Sequence, residues 1–284
     1  MFDCIIIGAG PAGISASLYL KRANKNVLVL YNNDSALLKA IKIDNYYGFE
    51  EGISGKDLYE KGILQAKNLG IDVRLEEVLD IQYGIDNYLV KSDKNTYEAK
   101  YIILATGNKK LRPNIKGVID YEGKGVSYCA ICDGFFYKKK RIAVIGDSMF
   151  ALEEANVLKN ISDDITILSN GKDCKNDSFK VISKEIDALD GDEVLKKVIF
   201  KDGTFVDVDA CFIALGSAGG ANFAKKMGIM MENDLIVTND NMETNISGIY
   251  AIGDLVKGAK QVNKAVYEGN VAAIDIINKI NERK

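Results

Sequence analysis

The sequence predicts an α/β protein, and three observations carry that reading. Gly8-Ala9-Gly10-Pro11-Ala12-Gly13 follows a short β-branched run and opens a helical stretch. A second strand–glycine–helix unit begins at Arg141-Ile142-Ala143-Val144-Ile145-Gly146. A third strand ends on glycine at Ile249-Tyr250-Ala251-Ile252-Gly253-Asp254. Two Rossmann-like dinucleotide-binding folds, related by duplication, account for all three.

Taken in order, Asp3–Ile7 reads as a buried parallel strand, Ile14–Ala23 as its helix and Val27–Leu30 as the second strand. Residues 32–60 are loop-rich, with a helix expected over 61–70. Strands are expected at 71–75, 77–83, 88–91 and 96–99, and a further one over Tyr101–Gly107. Pro113 is one of only two prolines, and Arg112-Pro113-Asn114 reads as a linker. In the second half, a helix is expected over Phe150–Leu158, strands at 165–168, 179–182, 194–200 and 210–215, and an amphipathic helix over 262–281.

Composition narrows the chemistry. The 284 residues contain no histidine, which excludes Ser-His-Asp and Cys-His catalysis and histidine-ligated metals. A net charge of −3 argues against a general nucleic-acid binder. Five cysteines with one close pair do not form a secreted disulfide framework. The N-terminus runs directly into a strand and no apolar run is long enough to span a bilayer, so a cytoplasmic setting without membrane contact is expected.

In the first glycine loop, Gly8 permits the tight turn, Gly10 lets the backbone approach a pyrophosphate and Gly13 lets helix and strand pack closely. The alternative is a glycine turn without a ligand. Tyr31 stands where an NAD-binding fold carries an acid, which disfavours NAD at this first site. Cys129-Ala130-Ile131-Cys132 places two thiols where they can close and reopen a small disulfide. A zinc half-site is the competing reading, but zinc needs four ligands and no second C-x-x-C or histidine exists. Cys4 and Cys211 fall in strand patterns and read as core. Cys174 falls on a loop and could be a reactive bystander.

The first glycine loop, Ala105-Thr106-Gly107, the Cys129–Gly134 block, Gly134-Phe135-Phe136-Tyr137 and Gly253-Asp254 resemble the low-molecular-weight thioredoxin reductases over nearly the whole chain. The resemblance implies a three-layer ββα architecture with a discontinuous FAD domain over 1–113 and 246–284. A central disulfide-bearing domain would span 114–245. It implies FAD contacts at Gly8, Gly10, Pro11, Ala12, Gly13, Asn45, Ala105, Thr106, Gly107, Gly253, Asp254, Gln261 and Val262. Asp254 would hold the ribityl chain, although a helix-cap role is also open to it. Cys132 would sit against the flavin, Cys129 would attack thioredoxin, and Asp133 would serve as the general acid or base. A homodimer is implied as well.

The second glycine loop departs from that family. Where G-x-G-x-x-A is expected, the chain reads Gly146-Asp147-Ser148-Met149-Phe150-Ala151. Ser148 puts a side chain where a pyrophosphate would approach, Asp147 adds like charge, and Phe150 is bulky. Ser169-Asn170-Gly171 replaces a His-Arg-Arg cluster, with Lys175 in place of a further arginine. Gly216-Ser217-Ala218-Gly219 replaces Gly-x-x-Pro. These losses resemble the flavoenzymes that take electrons from reduced ferredoxin. The expected function is a ferredoxin-dependent flavin thioredoxin reductase. An NADPH-dependent thioredoxin reductase with a degenerate site is the alternative, and a redox sensor without turnover is a third reading. Lys138-Lys139-Lys140-Arg141 and Lys109-Lys110 with Arg112 are candidate docking charges for an acidic ferredoxin. Solvated loop charge explains them equally well.

Overall fold

In the computed structural model, residues 1–107, 113–174, 176–215 and 219–282 are described. The chain forms two compact units, Met1–Lys109 with Gly219–Lys284, and Lys110–Ala218.

The first unit opens with β1 (Phe2–Ile7), α1 (Pro11–Arg22), β2 (Val27–Tyr31), α2 (Gly55–Asn68), β3 (Asp72–Leu75), β4 (Val78–Tyr83), β5 (Tyr88–Ser92) and β6 (Thr96–Leu104). The second holds β7 (Val126–Ser127), α3 (Ala130–Asp133), β8 (Ile142–Ile145), α4 (Met149–Leu158), β9 (Ile165–Leu168), β10 (Lys180–Ile182), β11 (Ile186–Gly191), β12 (Leu195–Phe200), β13 (Phe205–Asp207) and β14 (Ala210–Ile213). The first unit resumes with α5 (Gly220–Met227), β15 (Met231–Glu232), β16 (Leu235–Ile236), β17 (Ile249–Ala251) and α6 (Val262–Glu282).

In the first unit a parallel sheet runs β3-β2-β1-β6, with β17 on the far side of β6. The two strands expected at 96–99 and 101–107 are one. The first half of β6 pairs antiparallel with β5, and its second half pairs parallel with β1 and β17. This single strand joins the β4-β5-β6 meander to the dinucleotide-type sheet, and Ala105-Thr106-Gly107 forms the loop at its end. The helix expected to start at residue 61 starts at Gly55, because Ser54 accepts a hydrogen bond from the Asp57 amide and caps it. Helix α1 begins at Pro11 rather than Ile14, since proline is tolerated in a first helical turn.

Helices α1 and α6 cover the sheet. Ser15 donates to the Val266 carbonyl at 2.7 Å, and a Cβ on Gly269 would lie 2.3 Å from the Ala12 carbonyl oxygen. Only glycine permits that approach. Cys4 lies in this core with Ile6, Val29, Ile103 and Ile276.

The second unit has a five-stranded parallel sheet, β10-β9-β8-β14-β7, and a β11-β12-β13 meander. Strands 186–191 and 205–207 lack a clear alternating pattern and carry no strand signal in the sequence. Cys211 is fully buried in this core, as expected.

The structure corrects the domain boundaries. Residues 219–245, expected in the central domain, belong to the first unit. Gly220 N–H donates to Thr106 Oγ1 at 2.8 Å, and Tyr83 Oη donates to the Met227 carbonyl at 2.7 Å. Asn245 Oδ1 accepts from Met230 N–H at 2.8 Å.

Beside β4, burial, with Asp93 and Asp34 nearby, pushes the Glu77 carboxyl up to about 7. The folded chain then holds a proton that the unfolded chain has lost. Stability therefore falls as pH rises from the ordinary carboxylate range through about 7, and is flat above it. Glu77→Gln is expected to gain about 1–2 kcal/mol at pH 8, after allowance for solvent screening, and almost nothing at pH 4. Urea unfolding at both pH values checks it, and equal gains would contradict the assignment.

Candidate active site

The first glycine loop is built as its sequence requires. Gly8 has φ +116°, and a Cβ there would lie 2.3 Å from the Ala105 carbonyl oxygen. A Cβ on Gly13 would lie 2.0 Å from the Gly8 carbonyl oxygen, so neither residue can be anything larger. Gly10 differs. It has an ordinary extended backbone (φ −72°, ψ −179°), and a Cβ there would meet no protein atom within 4 Å. Its lack of a side chain serves no contact inside the fold. It leaves open space at the N-terminus of α1, where backbone amides point at a ligand. These residues fit the diphosphate of a dinucleotide cofactor.

The expected flavin residues of the first unit converge from distant segments. Asn45 Nδ2 donates to Gln261 Oε1 at 3.0 Å, beside a cleft lined by Tyr46, Phe49 and Asn263. Val262 is the first residue of α6. Thr106 is fixed by the Gly220 amide. Gly253 has φ +73° and begins a short turn carrying Asp254.

Two residues that the motifs did not signal hold that turn. Glu268 accepts from the Gly253 amide at 2.8 Å and pairs with Lys264 at 3.1 Å. Lys264 also donates to the Gly253 carbonyl at 2.7 Å. Burial raises the Glu268 carboxyl, while Lys264 and the Gly253 amide work against that rise. Their i, i+4 spacing on α6 was the one available sequence signal.

In the second unit, Cys129 and Cys132 form a disulfide with Cα atoms 5.3 Å apart. Cys129 caps α3 and accepts from the Cys132 amide at 3.3 Å. Cys129 is 3% exposed, whereas Cys132 faces solvent. Ser127 was not singled out from the sequence. Its hydroxyl donates to Asp133 Oδ2 at 2.6 Å and accepts from the Cys129 amide at 3.1 Å. One hydroxyl thus ties the candidate acid–base carboxyl to the backbone of the buried sulfur. Phe135 and Phe136 stand exposed beside it.

A family model, the pyridine nucleotide-disulphide oxidoreductases, matches residues 2–269. The thioredoxin reductase of Listeria innocua is 32% identical, over 100% of this chain and 95% of its own length. The chain belongs to the thioredoxin reductase family. It is a thioredoxin reductase-like flavoprotein disulfide reductase. Two solved members of the family are similar over nearly their whole length. The atypical thioredoxin reductase TRi from Desulfovibrio vulgaris Hildenborough is 35% identical with a TM-score of 0.91, over 99% of both chains. The ferredoxin-flavin thioredoxin reductase from Clostridium acetobutylicum is 32% identical with a TM-score of 0.74, over 99% of this chain and 98% of the other.

Against that family background, the second glycine loop is half retained. A Cβ on Gly146 would lie 2.2 Å from the Ala214 carbonyl oxygen, so the packing glycine persists. Ser148 is the N-cap of α4 where the ligand-facing glycine would stand, and the Phe150 side chain is buried. Asp147 pairs with Lys172 at 2.9 Å. The residues aligned with the nucleotide-gripping cluster are committed to the fold. Ser169 Oγ donates to the Lys172 carbonyl at 2.5 Å, Asn170 Oδ1 accepts from the Ile186 amide at 2.7 Å, and Gly171 has φ +84°. Lys175 and residues 216–218 lie outside the described residues, as do Lys109, Lys110 and Arg112.

Two further expectations change. Cys174 is not an activated thiol, because burial and the Asp147 and Asp173 carboxylates raise it. Arg141 is paired with Asp209 at 3.1 Å and Asp207 at 3.6 Å, which removes it from the candidate docking charges. Among the described residues no group of His, Cys, Asp and Glu is arranged to hold a metal, and no helix is long and apolar enough to cross a membrane.

Proposed function

We propose that the chain is a ferredoxin-dependent flavin thioredoxin reductase, using FAD and the Cys129–Cys132 disulfide to reduce thioredoxin. The observation that carries the choice of donor is the Asp147–Lys172 pair. The loop that should cradle a dinucleotide phosphate instead presents a carboxylate, and Lys172, which directly follows the segment standing in place of the lost arginines, is engaged by it. The ferredoxin-flavin enzyme of Clostridium acetobutylicum, similar over nearly the whole chain, supports the same reading.

Gly10, Asn45, Gln261 and Asp254 would hold the cofactor. Bound FAD supplies the conversion of single electrons into the pair that a disulfide needs. Cleaving the Cys129–Cys132 bond takes two electrons and two protons. The Asp133 carboxyl, which accepts a hydrogen bond from Ser127, would move one of those protons. The reduced pair then transfers both electrons to a thioredoxin disulfide through a mixed disulfide, and the Cys129–Cys132 bond re-forms. Lys138, Lys139 and Lys140 are exposed and would offer positive charge to an acidic electron carrier.

Anaerobic stopped-flow spectroscopy of the flavin-loaded chain tests the donor. Reduced ferredoxin is expected to bleach the flavin band within the time of turnover, and excess NADPH is expected to leave it unchanged. Rapid bleaching by NADPH would identify a nucleotide-dependent reductase instead.

A further inference from the structure

The turn that carries Asp254 begins at Gly253, and α6 grips that glycine at both of its polar backbone groups. Glu268 accepts from the Gly253 amide at 2.8 Å, and Lys264 donates to the Gly253 carbonyl at 2.7 Å. The two side chains meet each other at 3.1 Å, which closes the ring. Lys264 also donates to the Val256 carbonyl at 3.4 Å, just past the turn. Each of the three ammonium protons therefore has an acceptor, and each Glu268 oxygen has a donor. The pair is largely withdrawn from solvent, with Lys264 17% and Glu268 7% exposed. A buried ion pair needs its remaining hydrogen-bonding capacity satisfied, and here that capacity goes to the backbone of one turn.

The grip also fixes where the turn lies. Gly253 has φ +73°, and a Cβ there would lie 3.2 Å from Ala12 Cβ and 4.0 Å from Ala265 Cβ. The turn is thus held between the start of α1 and the first part of α6. Gly269, the neighbour of Glu268, is where α6 meets the Ala12 carbonyl. Ala12 directly follows Gly10-Pro11, the segment with open space for a diphosphate. The phosphate loop, the Asp254 turn and α6 therefore converge on Ala12.

We propose that Lys264 and Glu268 are positioning residues for FAD, holding the Gly253–Asp254 turn in register with the start of α1 so that Asp254 takes the ribityl chain while the helix N-terminus takes the diphosphate. The proposal rests on the reading of Gly10 and Asp254 as flavin contacts. It adds two residues outside the glycine motifs that act through Asp254 rather than on the flavin. Their ring of bonds lies wholly within the chain, so the turn is built before the cofactor arrives. Flavin binding then does not bear the cost of ordering it.

A double-mutant cycle with Asp254 tests this. FAD is titrated into the flavin-stripped full-length chain, and flavin fluorescence gives the dissociation constant. Glu268→Ala is expected to weaken FAD binding about 10- to 100-fold, and Lys264→Met to act in the same direction. Glu268→Gln keeps an oxygen that can accept from the Gly253 amide and is expected to recover part of the loss. In an Asp254→Ala background, Glu268→Ala should cost less than about 3-fold more, because the group it positions is gone. A general weakening of the fold would not show that dependence. Losses that multiply in full in the double variant overturn the proposal, as does parental affinity in both Glu268→Ala and Lys264→Met. If Asp254→Ala loses FAD while those two variants keep it, the flavin reading stands and only the positioning role falls. If Asp254→Ala binds FAD as its parent does, the ribityl contact falls and the positioning role falls with it. If the variants do not fold, hydrogen exchange of the Gly253 amide in the unmutated, flavin-free chain decides. Protection is expected, and exchange at the rate of a free loop overturns the proposal.

Discussion

Serine in place of either Cys129 or Cys132 is expected to lower thioredoxin reduction by about 10³-fold or more, with the flavin spectrum retained. Both sulfurs are needed because the electron pair is taken up by cleaving one S–S bond and given up when that bond re-forms. The two variants should nevertheless differ. If Cys129 is the attacking thiolate, Cys132→Ser leaves it without its resolving partner and accumulates a mixed disulfide with thioredoxin. Cys129→Ser does not. The structure makes this a demanding expectation, since Cys129 is 3% exposed and Cys132 is the solvent-facing member. Attack by Cys129 requires its sulfur to be uncovered during turnover. Non-reducing electrophoresis with a thioredoxin lacking its own resolving cysteine reads the outcome. A mixed disulfide formed only by Cys129→Ser would reverse the roles of the two thiols.

Gly10→Ala and Gly13→Ala are expected to fail in different ways. In Gly13→Ala the new Cβ would sit 2.0 Å from the Gly8 carbonyl oxygen and 3.1 Å from Ile6 Cγ2. Neither α1 nor β1 can move away without breaking the core around Ile6, so a loss of about 3 kcal/mol or more is expected. In Gly10→Ala the new methyl group meets no protein atom, and its φ of −72° suits any residue. The apoprotein should lose less than about 1 kcal/mol. Flavin retention should fall sharply, because the methyl group occupies the space through which the backbone approaches a pyrophosphate. Thermal unfolding of the apoproteins, with flavin absorbance after purification, separates the two effects. A Gly10→Ala protein as yellow as its parent would show that the open space is not a phosphate site.

Local signals were legible wherever a single turn fixed the geometry. The Gly8–Gly13 loop, the C-x-x-C segment and the buried strands read correctly because each obeys rules acting within a few residues. Reading failed where an element depended on remote partners. β6 looked like two strands because its halves pair with different neighbours, and the break in its apolar pattern marks that change of partners. Residues 219–245 looked central because they follow the second fold in sequence. Thr106 and Tyr83 tie α5 to the first unit through bonds spanning 114 and 144 residues.

The same division holds at the site. Residue order alone specifies the chemistry: a dinucleotide loop, a dithiol, no histidine to assist it, and a second loop with its ligand-facing glycine missing. How those parts are held emerges with the folded chain. Folding paired Asn45 with Gln261 across 216 residues, braced Gly253 with Glu268, bound Asp133 to Ser127 and neutralised Arg141 with Asp209. A backbone conformation is chosen by the residue that adopts it and its immediate neighbours. A hydrogen bond between separate segments is chosen by the path of the chain, which no local pattern records.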